Sequence, residues 1–187
     1  MEIYLIRHTR VGIETGICYG QTDVPLADSF AEEFETLQSK LPAFNSCAIY
    51  SSPLSRCRRL AERLNAGSVE FDPRLMELNF GSWELKRWDD IGAGELKVWT
   101  ADFVNLCCPG GESYREQFQR AVAFWKELCQ TPRELVLVVT HAGLIRALLA
   151  YLLDIPLEKS LWLGIDYGSV TKIHLLDEAP IIDYINR

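Results

Sequence analysis

The stretch IYLIRHTR, residues 3–10, is a run of apolar residues that ends abruptly in Arg7 and His8. A second stretch, LVLVVTHAG at residues 135–143, has the same design and ends in His141 just before a helical pattern. Strands that are apolar at nearly every position are typical of parallel sheets covered on both faces. Ligands bind beyond the carboxyl ends of such strands, so we expect the two imidazoles to project into one crevice.

Strand-like and helix-like patterns alternate along the rest of the chain, which predicts an α/β fold. The predicted strands are Glu2–Arg7, Cys47–Tyr50, Val69–Phe71, Leu135–Thr140, Val170–Leu176 and Ile181–Ile185, the last two forming a terminal hairpin or sheet edge. The predicted helices are Ser29–Leu41, Leu54–Leu64, Ser113–Gln130 and Leu144–Leu153. The aromatic-rich segment from Glu77 to Pro109 shows no clear pattern. No linker or repeat divides the chain, so we expect residues 1–187 to form one domain with a mostly parallel sheet.

The composition argues against several classes of function. The chain has 187 residues, 48% of them apolar and 24% charged, with a formal net charge of −7. A nucleic-acid-binding surface would need a basic stripe, which the sequence lacks. No apolar run approaches the ~18 residues of a membrane span, and the N-terminal MEIYLIRH lacks the features of a signal peptide. We therefore expect a cytoplasmic protein without nucleic-acid or membrane partners, whose six cysteines are reduced thiols.

Two further stretches carry chemistry-bearing residues. AIYSSPLSRCRR, residues 48–59, places Arg56 in the first turn of a predicted helix that follows a short strand. RLMELNFGSWE, residues 74–84, places Glu77 on a loop. Arginine side chains match phosphate oxygens bidentately, so Arg56, Arg7 and the two histidines predict a local anion trap. A carboxylate near a bound phosphate would have its pKa raised by the like charge, which suits a proton donor to a leaving alkoxide.

Each of these residues has a simpler explanation when it is taken alone. A histidine after a strand is often structural, a single arginine is often an ion-pair partner, and a single glutamate is often a surface carboxylate. We expect His174, within the strand pattern VTKIHLL, to be structural, and Arg58, Arg59 and Arg63 to lie on a solvated helix surface. The functional prediction depends on the convergence of several residues at strand ends.

Four stretches resemble, in order, the signature stretches of the histidine phosphatase superfamily, which has the phosphoglycerate-mutase-like fold; they are LIRHT, SSPLSRCRRLAERL, RLMELNFGSWE and VVTHAG. The resemblance implies a three-layer α/β/α sandwich. It also implies that His8 is the nucleophile, that Glu77 is the proton donor, and that the phosphoryl group is held by Arg7, Arg56 and His141. We expect no cofactor and no metal ion, because the two arginines and two histidines supply the positive charge.

A closer resemblance concerns the α-ribazole phosphatases of cobalamin biosynthesis, which remove the 5′-phosphate of α-ribazole phosphate or of the phosphorylated cobamide. Thr9, where glycine is commoner, and GICYGQTDVPL, residues 16–26, carry this resemblance. Val11 and Leu60 depart from it, since proline and threonine are usual there. The resemblance implies a small-molecule phosphomonoester as substrate.

The mouth of the crevice is expected to form from residues 16–26 and from the segment between Trp83 and Phe103. Aromatic rings there are candidates to stack on a flat base such as a benzimidazole. The stacking candidates are Tyr19, Trp83 and Trp88, and the other predicted substrate contacts are Gln21, Thr22 and the backbone N–H of Gly143.

Other functions are compatible with part of the same sequence pattern. A cofactor-dependent phosphoglycerate mutase would use the same residues, although such mutases tend to be longer than this chain. A broad-specificity phosphatase and a non-catalytic phosphoester-binding module also remain, and the presence of all five chemical residues argues against the module. A metal hydrolase has no HExxH or comparable ligand spacing to support it. Nothing in the sequence predicts an oligomeric state.

Overall fold

The computed structural model describes residues 1–44, 47–64, 68–177 and 179–187. Its strands are β1 (Glu2–Arg7), β2 (Ala48–Ser51), β3 (Val69–Phe71), β4 (Leu135–Thr140), β5 (Val170–Leu176) and β6 (Ala179–Tyr184). They form one sheet in the order β3-β2-β4-β1-β5-β6. The first four strands in that order are parallel, and β5 is antiparallel to both β1 and β6. The predicted mostly parallel sheet is confirmed.

The α-helices are α1 (Phe30–Gln38), α2 (Ser55–Leu64), α3 (Ala93–Ala101), α4 (Tyr114–Leu128) and α5 (Ala142–Leu152). α1 and α2 cover one face of the sheet, and α4 and α5 cover the other. Because side chains alternate along a strand, Ile3 and Leu5 of β1 belong to the core formed with α4 and α5. Tyr4 and Ile6 belong to the opposite core, which is formed with α1 and α2. The result is a three-layer α/β/α arrangement.

The predicted and observed elements agree best for the strands. β1, β3, β4 and β5 have the predicted bounds. α5 begins at Ala142, two residues before the predicted start, because His141 is extended and acts as its N-cap residue. The segment that showed no pattern contains two short 3₁₀ turns, Gly81–Trp83 and Trp88–Asp90, followed by α3. α3 buries none of its residues completely, which explains why its sequence has no marked apolar stripe.

The register between β1 and β4 positions the site. Arg7 lies beside Thr140 in the two parallel strands, and the backbone N–H of His8 donates to the carbonyl oxygen of Thr140 over 3.0 Å. His8 and His141 therefore leave the sheet side by side at its carboxyl edge.

Several sequence predictions concern residues away from that edge. Among the described residues, no helix combines the length and the apolar character needed to cross a membrane. All six cysteines are free thiols. Arg58, Arg59 and Arg63 are exposed, as predicted. His174 lies opposite Glu2, at the end of β1 away from His8, and its Nδ1 is 2.9 Å from Asp183 Oδ1.

Candidate active site

The two imidazoles lie next to each other at the carboxyl ends of β1 and β4. Their ring centroids are 5.1 Å apart, and the rings meet edge to face. Both residues are buried, with 2% of His8 and 0% of His141 exposed. The convergence that the strand pattern predicts is therefore present.

His8 has Nε2 as its basic nitrogen. Its Nδ1 lies 2.7 Å from the carbonyl oxygen of Thr9. Because a carbonyl oxygen only accepts, Nδ1 carries the hydrogen and the lone pair is on Nε2. Burial, followed by the positive charge of Arg56, holds the pKa of His8 well below its ordinary value of 6.5. The ring is thus neutral near pH 7 and suited to nucleophilic attack.

Arg56 lies in the first turn of α2 and is completely buried. Its Nε donates to His141 Nδ1 over 3.3 Å, and its terminal nitrogens donate to the carbonyl oxygens of Thr22 and Gly20. Since this Nδ1 is an acceptor, Nε2 of His141 carries the hydrogen and donates to Ser52 Oγ, 2.9 Å away. Burial and then the Arg56 charge lower the pKa of His141 well below 6.5. His141 is therefore neutral here, and its protonation requires the negative charge of a bound anion.

Tyr167, which the sequence analysis does not single out, connects several groups of the site. The Arg7 guanidinium lies 3.7 Å from the centroid of the Tyr167 ring, and Arg7 also donates to the carbonyl oxygen of Ile165 over 2.6 Å. The Tyr167 ring is 5.6 Å from that of His8, and its hydroxyl lies 2.6 Å from the hydroxyl of Tyr19. The one feature of the sequence that indicates its position is that residue 167 precedes β5, because β5 runs antiparallel to β1 and begins at the end of β1 where His8 lies.

Glu77 is held by three N–H donors. Its Oε1 accepts from the backbone of Leu78 over 2.9 Å and from Gln117 Nε2 over 2.8 Å. Its Oε2 accepts from the backbone N–H of Gly143 over 3.1 Å. A Cβ on residue 143 would lie 2.3 Å from Glu77 Oε1, so only glycine permits this approach. The Gly143 N–H thus already donates to Glu77 in this structure, and its contact with a phosphoryl group stays a prediction.

A framework on α4 fixes the loop that carries Glu77. Arg120 donates to the carbonyl oxygens of Arg74, Met76 and Glu77, over 2.7, 2.6 and 3.0 Å respectively. It also forms an ion pair with Glu112 at 2.6 Å. This one guanidinium therefore sets the path of the backbone on both sides of Met76.

Gln21 and Thr22, predicted to bind substrate, make their polar contacts with the protein. Both backbone N–H groups donate to the Glu84 carboxylate. The Gln21 side chain donates to the carbonyl oxygen of Glu77 over 3.1 Å, and the Thr22 carbonyl oxygen accepts from Arg56 over 3.1 Å. The two residues thus support Glu77 and the buried Arg56, and direct contact with a substrate stays a prediction.

A cavity of about 640 Å³ opens beside Glu77. Its polar side includes Arg7, Glu77, Gln117 and Arg146. Its aromatic side includes Tyr19, Phe80, Trp88 and Trp99.

Neither imidazole lines this cavity. Tyr19 lines it and is hydrogen-bonded to Tyr167, which packs against His8. His8 is almost fully buried. Tyr19 and Tyr167 therefore connect the cavity to His8.

Trp83 does not occupy the predicted position at the mouth. It is 1% exposed and packs in a small core with Cys18 and Cys108. Its ring meets the ring of Trp99 edge to face, with centroids 5.4 Å apart. The prediction that Trp83 stacks on a substrate is wrong, because the long loop buries it. Tyr19 and Trp88 do line the cavity, as does Trp99, which the sequence analysis did not select.

Comparison with known proteins places this geometry in a family. Residues 3–187 match the family model described as the histidine phosphatase superfamily, branch 1. The chain is 26% identical over 195 residues to the adenosylcobalamin/alpha-ribazole phosphatase of Escherichia coli, covering 100% of this chain and 96% of the relative. It is 25% identical over 195 residues to phosphoserine phosphatase 1 of Hydrogenobacter thermophilus, covering 100% and 92%. The crystal structure of the alpha-ribazole phosphatase from Shigella flexneri has the same fold, with a TM-score of 0.89, 24% identity, and coverage of 100% and 96%. Since the family model spans almost the whole sequence, the chain belongs to the histidine phosphatase superfamily.

Proposed function

We propose that the protein hydrolyses a small phosphomonoester in two steps, through a phosphoryl group carried on His8. Membership of the histidine phosphatase superfamily supports hydrolysis of phosphate esters. The observation that carries the proposal is the pair of imidazoles 5.1 Å apart, with Arg56 bonded to one of them and with Arg7 and Glu77 at the adjoining cavity. Nucleophile, positive charge and proton donor are thus supplied within one site.

In the first step, Nε2 of His8 attacks phosphorus in line and the bond from phosphorus to the leaving oxygen breaks. Arg7, Arg56 and His141 neutralise charge on the equatorial oxygens, and preorganised donors of this kind are worth ~3 kcal/mol each. Glu77, in its protonated form, gives its proton to the leaving oxygen, so that the product departs as a neutral alcohol.

In the second step, a water molecule replaces the alcohol. The water oxygen attacks phosphorus, Glu77 takes a proton from the water, and the bond from phosphorus to Nε2 breaks. Inorganic phosphate leaves, and His8 is again neutral. Two displacements at phosphorus, with Nε2 of His8 as nucleophile in the first and leaving atom in the second, replace one difficult hydrolysis.

We further propose α-ribazole 5′-phosphate, or the phosphorylated cobamide, as the substrate. The aromatic side of the cavity offers rings on which a flat benzimidazole can stack while the ribose lies near Glu77. The name of the Escherichia coli relative, adenosylcobalamin/alpha-ribazole phosphatase, supports the same assignment.

Arg146 favours a second candidate, a phosphomonoester that also carries a carboxylate. It lines the cavity, its Nε donates to the carbonyl oxygen of Leu163 over 2.9 Å, and burial lowers its pKa. A guanidinium in this position is suited to hold a carboxylate in bidentate fashion. Phosphoserine and 3-phosphoglycerate have such a group, and phosphoserine phosphatase 1 of Hydrogenobacter thermophilus is among the relatives.

The nucleophile is tested by comparing His8→Ala with His174→Ala, a matched control at the far end of β1. His8→Ala should abolish turnover of p-nitrophenyl phosphate and the acid-labile phosphoenzyme, whereas His174→Ala should keep both. Normal activity in His8→Ala would overturn the assignment.

The substrate is tested by kcat/KM across α-ribazole 5′-phosphate, phosphoserine, 3-phosphoglycerate, sugar phosphates and nucleotides. A clear preference for the first supports the cobamide assignment, and equal modest rates indicate a generalist. A preference for phosphoserine that is lost in Arg146→Met supports the second candidate. Conversion of 3-phosphoglycerate to 2-phosphoglycerate with a bisphosphate primer would instead identify a mutase.

A further inference from the structure

Gln117 is a fully buried residue of α4 that lines the cavity beside Glu77. Its Nε2 donates to Glu77 Oε1 over 2.8 Å. Its Oε1 is buried and accepts no hydrogen bond from the described protein. Buried amide oxygens are nearly always satisfied. A donor that is not part of the protein is therefore needed at this oxygen.

The chemistry of Glu77 fixes the orientation of this amide. After the first step Glu77 is a carboxylate, whose oxygens only accept, so Gln117 must then turn Nε2 toward Glu77 and Oε1 away from it. Oε1 lies 3.2 Å from the position that a Cβ on Gly143 would occupy, and Glu77 Oε1 lies 2.3 Å from the same position. The amide oxygen and the carboxylate oxygen therefore both lie within 3.2 Å of one point beside Gly143, close enough for one small molecule to reach both.

Water matches two acceptors because it has two hydrogens. We propose that Gln117 orients the attacking water of the second step, accepting one O–H through Oε1 while Glu77 accepts the other. The water oxygen bonds to phosphorus, one proton passes to Glu77, and the bond to His8 Nε2 breaks. The second proton stays on the departing phosphate. This inference rests on the proposed phosphohistidine pathway.

The arrangement distinguishes water from alcohols as acceptors of the phosphoryl group. An alcohol has a single O–H, and its proton must pass to Glu77. No second O–H remains to donate a hydrogen bond to Gln117 Oε1. Gln117 therefore favours hydrolysis over transfer to a hydroxyl. Gln117 thus influences whether water or an alcohol accepts the phosphoryl group, and a purely structural residue would leave this choice unchanged.

The test measures this choice directly. Wild type, Gln117→Met and Gly143→Ala react with p-nitrophenyl phosphate in the presence of methanol, and the ratio of methyl phosphate to inorganic phosphate is determined. In Gln117→Met the ratio should rise about 5-fold or more, since one hydrogen bond to water is lost. In Gly143→Ala the new Cβ would lie 2.3 Å from Glu77 Oε1 and 3.2 Å from Gln117 Oε1, so it displaces the carboxylate more than the amide oxygen. At saturating substrate both products should therefore form more slowly, and the ratio should stay within about 2-fold.

An unchanged ratio in Gln117→Met would overturn the inference and would show that Gln117 acts only through Glu77. Gln117→Leu provides the same measurement if the methionine variant fails to fold. If the wild type yields only inorganic phosphate, methyl phosphate appearing in the variant supports the inference and its absence overturns it. Failure of the proposed function gives a different result from failure of this inference. In that case the wild type itself would form no phosphohistidine.

Discussion

Replacing Gly143 by alanine should disable the proton donor while leaving the phosphate-binding side chains intact. The new Cβ would lie 2.3 Å from Glu77 Oε1 and 3.1 Å from its carboxyl carbon, whereas ordinary contacts begin at 3.4 Å. The carboxylate must therefore move by about 1 Å, which weakens its hydrogen bonds from Gly143 and Gln117. A misplacement of about 1 Å costs about 100-fold in rate.

The loss should depend on the leaving group. An alkyl phosphate such as ribose 5-phosphate needs the proton of Glu77, so its kcat/KM should decrease about 100-fold. Nitrophenolate leaves without a proton, so kcat/KM for p-nitrophenyl phosphate should stay within about 2-fold of wild type. This parameter is the appropriate one because it compares the free enzyme with the transition state of phosphoryl transfer to His8.

Gly94→Ala is the matched control, since a Cβ at that position on α3 meets nothing within 4 Å. It should leave both substrates unaffected, and thermal unfolding of both variants separates lost activity from lost fold. Equal losses on the two substrates would refute the reasoning, because Gly143 would then support the phosphate site as a whole.

Other perturbations examine the cavity wall and the buried imidazoles. Trp88→Ala should lower kcat/KM for α-ribazole 5′-phosphate, relative to ribose 5-phosphate, about 5-fold through lost stacking. Trp83→Ala should leave that ratio unchanged and destabilise the fold by about 3–5 kcal/mol, measured by urea denaturation. Tyr167→Phe removes the 2.6 Å hydrogen bond to Tyr19, so the two rings should separate more easily between the cavity and His8, and KM should decrease about 2- to 5-fold; a raised KM would contradict this role. Both imidazoles have pKa values well below 6.5, so below pH 6.5 the unfolded chain binds protons that the folded chain does not. The contribution of the two histidines to the free energy of unfolding is therefore fully present above pH 6.5. As the pH falls below 6.5, it should decline by up to about 1.4 kcal/mol per pH unit for each histidine. Urea denaturation at several pH values measures this slope, and a flat profile would contradict neutral histidines.

The central strands could be predicted because their apolar runs end at polar residues. β1 ends at Arg7 and β4 at Thr140, as the sequence indicates. Once these strands are adjacent and in register, the proximity of His8 and His141 is a consequence of the backbone. The predicted arginines lie close by for the same reason, since Arg7 ends β1 and Arg56 lies in the first turn of α2, whereas Glu77 lies on a loop.

The contents of the long loop could not be predicted in the same way. Trp83 and Trp99 have the same side chain, yet Trp83 is buried against Cys18 and Cys108, whereas Trp99 lines the cavity. Only the packing of the loop decides between them. Tyr167 and Gln117 also gain their importance from residues distant in sequence, Tyr19 and Glu77 respectively.

The different roles of the two histidines follow from their Nδ1 partners. Both imidazoles follow an apolar strand, and both are buried and neutral. Nδ1 of His8 faces the carbonyl oxygen of Thr9, so its lone pair is on Nε2, the nitrogen that can attack. The lone pair of His141 is on Nδ1, which already accepts from Arg56. His141 therefore cannot compete as a nucleophile until Arg56 moves. In the proposed mechanism, a phosphoryl group that draws Arg56 toward itself would release this nitrogen to take up a proton. The same anion would then favour protonation of His141 while His8 stays unprotonated for attack.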